Sequence, residues 1–305
     1  MKRKIKPLVS IGLATYNSKN RIDTALKSLF SQTYKNIEII ISDNCSSDGT
    51  DKICIAYSKK DARIKYYRQV TNIGILNNFN FVLKRARGNY FMWASDDDDW
   101  NKDFILTLKK ALETHPDHGV AMSSVSGIDE KGLLVDKILL TGKNNLTNSD
   151  YISVARKLLM GIRIHLYIYG LFRTNLINQL MSRPFPQCIA GDRVLMTELS
   201  LITHFYSTDR MLFSKTISKE SIASRYSNEK LGQEWKSPTK HLYYIYSMFS
   251  RLFTSPLIPF SRKIKIIPHL ILFAFLNFYH IILDLIPFKK FLIASYRKLK
   301  INFRI

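Results

Sequence analysis

Leu8 to Ala14, LVSIGLA, is apolar at almost every position and rich in branched side chains. That pattern predicts a strand buried on both faces. It breaks at TYNSKN, after which Ile22, Ala25, Leu26, Leu29 and Phe30 recur at helical spacing. A helix of about four turns with Ser18 as its N-cap is expected there. A second apolar run, IEIIISD, ends on Asp43, and the polar turn NCSSDGT leads into another helix. RIKYYRQ supplies a third strand. Ile75, Phe79, Val82, Leu83 and Ala86 share one helical face ahead of Gly88, and NYFMWAS is the fourth strand. Strands alternating with helices predict βαβ units and a mainly parallel sheet, the α/β class.

Beyond residue 115 the pattern loosens. SGIDEKG has the make-up of a hairpin turn, and no motif stands out between Ser123 and Met181. Further on, His241 to Phe253 carries Leu242, Ile245, Tyr246, Phe249, Leu252 and Phe253 on one stripe. Between Pro268 and Pro287 the chain is apolar nearly all round, with His269, Asn277, His280 and Asp284 on a narrow polar stripe. A helix of about 19 residues is long enough to reach across a bilayer, but the acid and the two histidines favour one lying at the interface, beside the first helix.

Charge sharpens this picture. The 305 residues hold 46 Lys and Arg against 24 Asp and Glu, a net charge of +22, and from Arg251 onward Asp284 is the single acid among ten basic residues. The imbalance predicts a polyanionic partner, and nucleic acid, anionic lipid and diphosphate substrates all satisfy it. Cys45, Cys54 and Cys188 have no metal-ligand spacing, and the N-terminus lacks the apolar stretch of a secretory signal, so a reducing cytoplasmic setting is expected.

Against this basic background the scarce acid concentrates in one place. Asp96 to Asp99 follow the fourth strand inside YFMWASDDDDW. Ligands of open parallel sheets collect beyond the carboxyl ends of the strands, so this cluster and Asp43 face one crevice. Adjacent carboxylates repel and raise one another's pKa values, and a divalent cation is an economical compensation. A solvated acidic turn ahead of a helix near Asn101 is the plainer alternative. No G-x-x-x-x-G-K-[ST] or G-x-G-x-x-G motif is present, which argues against a P-loop nucleotidase and a dinucleotide fold.

The ordered set VSIGLATYN, SLFSQTY with IEIIISD, SSDGT, NIG and the Asp-rich turn before Trp100 resembles the family-2 glycosyltransferases of bacterial polysaccharide synthesis. The likeness is densest over residues 7–115 and fades toward 225. It implies a GT-A fold over residues 1–235, with 1–115 binding the donor and 116–235 the acceptor. Residues 236–305 then form a C-terminal helical, membrane-associating extension. The implied activity is inverting transfer from a nucleoside-diphosphate sugar to the hydroxyl of a saccharide acceptor, lipid-linked and met at the cytoplasmic membrane face. Nucleic acid is then no partner. By the same resemblance Thr15, Tyr16, Asn17 and Asp43 surround the nucleotide, with Asn72, Asn80, Asp96 and Asp97 also on the donor. Asp98 and Asp96 are the expected contacts of Mn²⁺ or Mg²⁺, although Asp97–Asp98 and Asp98–Asp99 both fit as the core pair. Lys84, Arg85 and Arg87 are candidate aids to the diphosphate, and His165, His204 and His241 candidate metal ligands. Asp192 resembles the family's catalytic base, with Gly191 where a second acid is frequent. Two other readings stay open: a catalytically inactive GT-A-like protein binding membrane or polyanions, and a nucleotidyltransferase.

Overall fold

The structure is a computed structural model that describes residues 6–217, 237 and 239–285. Its first half follows the alternation of the sequence. The strands β1 (Val9–Thr15), β2 (Ile37–Asp43), β3 (Ile64–Arg68) and β4 (Tyr90–Ala94) are joined through helices α1 (Ile22–Phe30), α2 (Thr50–Lys60) and α3 (Ile75–Lys84). They lie side by side, all parallel, in the order β3-β2-β1-β4. Gly12 lets α3 settle on β1, because a Cβ there would stand 2.7 Å from the Val82 side chain.

The second half turns the sheet mixed. After β5 (Asp99–Trp100) and α4 (Phe104–Thr114) come β6 (His118–Ile128) and β7 (Leu134–Ile138), an antiparallel hairpin whose turn is the expected SGIDEKG region. Next are α5 (Tyr151–Leu159), a 3-10 stretch (Arg163–Tyr169), β8 (Leu171–Arg173), α6 (Thr174–Leu180), α7 (Gly191–Ser200) and β9 (His204–Thr216). The sheet continues β4-β8-β6-β9-β5, with β8 antiparallel to both its neighbours and β9 parallel to β6. At its centre Trp93 meets Phe91 and Phe172 edge-on at 5.0 and 5.7 Å, the favoured aromatic geometry.

Two elements differ from the sequence pattern. Helix α1 has 9 residues, short of four turns, because buried Gln32 bonds the Ser28 and Asn101 carbonyls at 3.1 and 2.9 Å and stops it. Ser18 does not cap it; Arg21 holds the cap position with no side-chain bond, and the Ser18 hydroxyl goes to Asp96 instead. Gly88 does not end α3 either, since Arg85 is its C-cap.

The last helices also depart from expectation. Helix α8 (Lys240–Thr254) turns Tyr244, Met248, Arg251 and Leu252 inward, leaving Leu242, Tyr246 and Phe253 of the predicted stripe exposed. Helix α9 (Phe260–Leu285) starts eight residues before Pro268 and runs through it. An interior proline removes one backbone bond, here to the Ile264 carbonyl. Ile264 is exposed to water, which can serve that carbonyl, while Ile266, Leu270 and Phe273 on either side of the proline are buried against α5, α7 and α8. Tertiary packing thus overrides the local break. His280 stacks on His241 at 5.0 Å, and the Asn277 amide bonds the Phe273 carbonyl, so two members of the predicted polar stripe are satisfied within the helix pair. The expected boundary at 235–236 and the basic segment 286–305 lie outside the described residues, as does the Asp284 side chain.

A buried ion pair fastens α8 to α7. Glu198 and Arg251 are 1% and 6% exposed, and the Arg251 Nε donates to the Glu198 carboxylate. Arg183 joins them at 3.2 Å, and Arg251 also donates to the Leu180 carbonyl at 2.9 Å. Removing one partner of such a pair strands a charge in a poorly polar site. Glu198→Ala is therefore expected to lower stability by about 3–5 kcal/mol in urea unfolding, and Glu198→Leu combined with Arg251→Met by clearly less.

Candidate active site

Parallel strands place their carboxyl ends on one edge, and the register sets Thr15 of β1 directly beside Asp43 of β2 and Leu13 beside Ala94 of β4. The acidic turn therefore emerges next to the loop that follows β1. Asp96, 6% exposed, accepts from the Thr15 hydroxyl at 2.7 Å, from the Ser18 hydroxyl and from the Tyr16 N–H at 3.4 Å. One carboxylate thus ties the two loops into a single wall.

The SSDGT turn holds the same loop from its other side. The Asn17 and Ser18 N–H groups donate to Ser46 and Thr50 at 2.9 and 2.8 Å, and the Lys19 N–H donates to Asp48 at 2.9 Å. Asn17 takes a left-handed φ of 48°, and its side-chain oxygen accepts from the Ser47 N–H at 3.0 Å. Asp43, fully buried, accepts from Ser46 N–H at 2.9 Å and the Tyr66 hydroxyl at 2.8 Å. Burial, followed by this bond, pushes the Tyr66 phenol upward, so it remains a donor.

Asn72 accepts from the Asn44 amide at 2.6 Å, steadying the NIG stretch. Asn80 is half-buried, and its side chain makes no hydrogen bond among the described residues. Buried Asn78 instead reaches the strand ends, its amide donating to the Ser42 carbonyl at 2.9 Å and the Thr15 carbonyl at 3.4 Å. Sequence reading passed over Asn78, because its role depends on which face of α3 meets β1 and β2. Arg85 is occupied elsewhere, 3.8 Å over the Phe81 ring.

The four acids have different surroundings. Asp98 is 1% exposed; its carboxylate accepts from Lys215 Nζ at 2.9 and 3.1 Å and from the Thr216 N–H at 2.9 Å. Burial raises its pKa to about 6 against the pull of Lys215, while the carboxylate holds the Lys215 ammonium above its ordinary range, so both are charged at neutral pH. Asp99 sits on β5 opposite Ser214. Asp97 is half-buried and accepts from the Ser95 hydroxyl at 2.5 Å. It lies within electrostatic reach of Lys215 and Tyr169, Asp192 within that of Tyr169, and burial pushes the Tyr169 phenol up to about 12.

Asp192 stands in the first turn of α7, half-exposed, with Oδ1 accepting from the Arg193 N–H at 2.8 Å. Its other oxygen has no hydrogen-bond donor among the described residues. The missing second acid has a steric reason, since a Cβ on Gly191 would stand 2.2 Å from the Pro186 carbonyl. Of the candidate histidines, His165 lies near Asp192, His204 packs on Tyr151 at 4.2 Å and His241 on His280.

Among the described residues no three ligating side chains gather in one place. That composition still fits Mn²⁺ or Mg²⁺, which typically take one or two carboxylates and complete their shell with substrate phosphate and water. Asp97 and Asp99 are the half-buried carboxylates of the cluster, while Asp96 is bound up with the β1 loop and Asp98 with Lys215.

A profile of glycosyl transferase family 2 matches residues 10–173, more than half of the chain. The chain belongs to glycosyl transferase family 2. This family-2 chain is 35% identical over 136 residues to TuaG of Bacillus subtilis, a glycosyltransferase named for teichuronic acid biosynthesis, a match covering 44% of this chain and 53% of TuaG. It is 37% identical over 114 residues to glycosyltransferase GlyA of Streptococcus pneumoniae, covering 37% of this chain and 16% of GlyA. The chain thus spans about half the length of TuaG and far less of GlyA. Among solved structures, S. aureus TarS 1–349 in complex with UDP-GlcNAc aligns with a TM-score of 0.66 at 20% identity, covering 88% of this chain and 73% of TarS 1–349. The mannosyltransferase PcManGT of Pyrobaculum calidifontis, in complex with GDP-Man and Mn²⁺, aligns at 0.59 and 15% identity, covering 98% and 81%. The fold is α/β and GT-A-like.

The Asp98–Lys215 pair gives this family-2 chain a pH-dependent weakness that can be exposed. Lys215→Met leaves a buried carboxylate unpaired and raises its folded pKa further above the unfolded value. A raised carboxyl costs stability above its unfolded pKa, and the cost fades as falling pH protonates it. Urea unfolding is expected to show a loss of about 3–5 kcal/mol for Lys215→Met at pH 8 and a distinctly smaller loss at pH 5.

Proposed function

We propose that the chain is an inverting, metal-dependent glycosyltransferase that moves a sugar from a nucleoside-diphosphate donor to a saccharide hydroxyl in cell-surface polysaccharide synthesis. The observation that carries this reading is that Asp97 and Asp192, both half-exposed, lie within electrostatic reach of the same buried phenol, Tyr169, while Asp96 ties the acidic turn to the Thr15–Ser18 loop. Family membership, the sugar-nucleotide complexes of the structural neighbours and the name of TuaG support it.

In this mechanism the loop at Thr15, Tyr16 and Asn17, backed by Asp43, holds the nucleoside, and Asn72 and Asn80 line the far side of the donor. Asp192 accepts the proton of the acceptor hydroxyl through its free oxygen. The oxygen attacks the anomeric carbon from the face opposite the diphosphate, the bond to the diphosphate breaks, and configuration inverts. General-base assistance of this kind contributes about 10²–10⁴-fold. Bound Mn²⁺ or Mg²⁺, held by Asp97 with Asp98 and Asp96 behind it, supplies Lewis-acid stabilisation of the charge gained by the departing diphosphate. Lys215 keeps Asp98 from adding a bare negative charge to that region.

The basic excess and the last two helices support docking on an anionic inner leaflet, with residues 236–305 as the membrane-associating extension. Phe260–Ile282 is long and apolar enough to cross a bilayer by length and composition. Its inner face is taken by α5 and α8, while Phe260, Ile271, Phe275 and Phe278 are more than half exposed. A helix with one packed face and one aromatic face suits the interface better than a span. A lipid-linked acceptor would be met there.

Two measurements test these readings. Purified protein with a panel of nucleotide sugars and Mn²⁺ is expected to release nucleoside diphosphate, with Asp97→Asn losing the metal-dependent thermal shift. Asp192→Asn should keep that shift while transfer falls about 10²–10⁴-fold. Retained transfer in Asp192→Asn would remove it as the base. For the membrane, vesicles rich in phosphatidylglycerol should sediment the protein, and Ile271→Glu with Phe275→Glu should leave it in the supernatant.

A further inference from the structure

A cavity of about 330 Å³ opens beside Asp192, lined by β6 and β7 through Val125, Gly127, Asp136 and Ile138, and by Arg163, His165, Arg193 and Lys215. Its charges are not equivalent. Arg163 is paired with Asp136 at the exposed rim, and Lys215 with Asp98. The Arg193 guanidinium has no carboxylate partner among the described residues; it neighbours the Tyr244 hydroxyl of α8, and its Nε is buried without a hydrogen bond. His165 Nδ1, facing the same cavity, is likewise buried and unpaired. Two buried nitrogens left unserved at one wall are costly unless something else meets them.

We infer that this cavity is an acceptor subsite that takes an anionic group, a carboxylate or a phosphate on the saccharide, through Arg193 and His165. The inference deepens the glycosyltransferase reading and rests on it. A guanidinium matches the geometry of a carboxylate or phosphate edge and gains most where water is excluded. His165, which lines the cavity together with Arg193, lies within electrostatic reach of Asp192. One acceptor sugar can therefore present its reactive hydroxyl to Asp192 and its acid group to Arg193. Asp136 does not oppose this, because Arg163 already neutralises it. The acid would also anchor the acceptor on the side of the catalytic carboxylate, where an unneutralised anion would be repelled.

The test uses the full chain and three probes: methyl glucuronide for a carboxylate, ribitol 5-phosphate for a phosphate, and methyl glucoside as the uncharged control. Binding is read by saturation-transfer NMR and titration calorimetry with UDP and Mn²⁺ present. At least one anionic probe is expected to bind tenfold or more tightly than methyl glucoside, and which one identifies the acid. Arg193→Gln should remove that preference, with near-UV circular dichroism checking its fold, and His165→Gln, away from the helix start, serves as the second variant. Equal binding of all three probes to the wild-type protein, or a preference that survives in both folded variants, overturns the subsite. If the protein shows neither a metal-dependent donor thermal shift nor nucleotide release, the glycosyltransferase reading itself falls, whereas a working donor site with no anion preference rejects the subsite alone.

Discussion

Four adjacent carboxylates cannot all remain ionised at close range without separate compensation, and the arrangement of the crevice follows from how that compensation is distributed. Asp96 is satisfied by hydroxyls and an N–H of the β1 loop, and Asp98 by the ammonium of Lys215, which β9 brings across the sheet edge. Asp97 and Asp99 keep the more accessible carboxylates. The repulsion that makes the cluster expensive therefore also welds together three chain segments that are far apart in sequence, Thr15–Ser18, Asp96–Asp99 and Lys215–Thr216.

The same economy governs the scaffold around it. Buried amides here serve carbonyls at the ends of strands and of a helix, where backbone groups run out of regular partners. Asn78 serves the Ser42 and Thr15 carbonyls, and Gln32 those of Ser28 and Asn101. Each amide fixes a helix or loop against the site edge. Farther off, Glu198 and Arg251 fasten α8 to α7, the helix that carries Asp192 at its start. The candidate base and the aromatic outer face of α9 thus belong to one packed unit.

Much of the first half was legible in the residues themselves. Apolar runs of seven and five residues broken by polar turns gave β1 to β4 in order, and TYN, SSDGT and the aspartates were placed at strand ends because side-chain alternation and βαβ handedness leave little freedom there. The structure adds why these stretches go together, since the side chains of Ser46, Asp48 and Thr50 bond the backbone of residues 17–19. Ser18 misled because a serine ahead of a helix has a local capping option, and a buried carboxylate 78 residues away outcompeted it.

By itself the sequence determined the class of fold, the position of the acid-rich turn at a strand end, the family and the candidate residues, all of which depend on local spacing and composition. Only the tertiary structure decided which aspartate is tied to the β1 loop and which is neutralised by Lys215, that Asn78 rather than Asn80 holds the strand ends, that α9 passes through Pro268, and that Arg193 and His165 share a cavity wall. These are set by contacts between residues tens to more than a hundred positions apart. Periodicity records which face of an element is buried, but not what it is buried against.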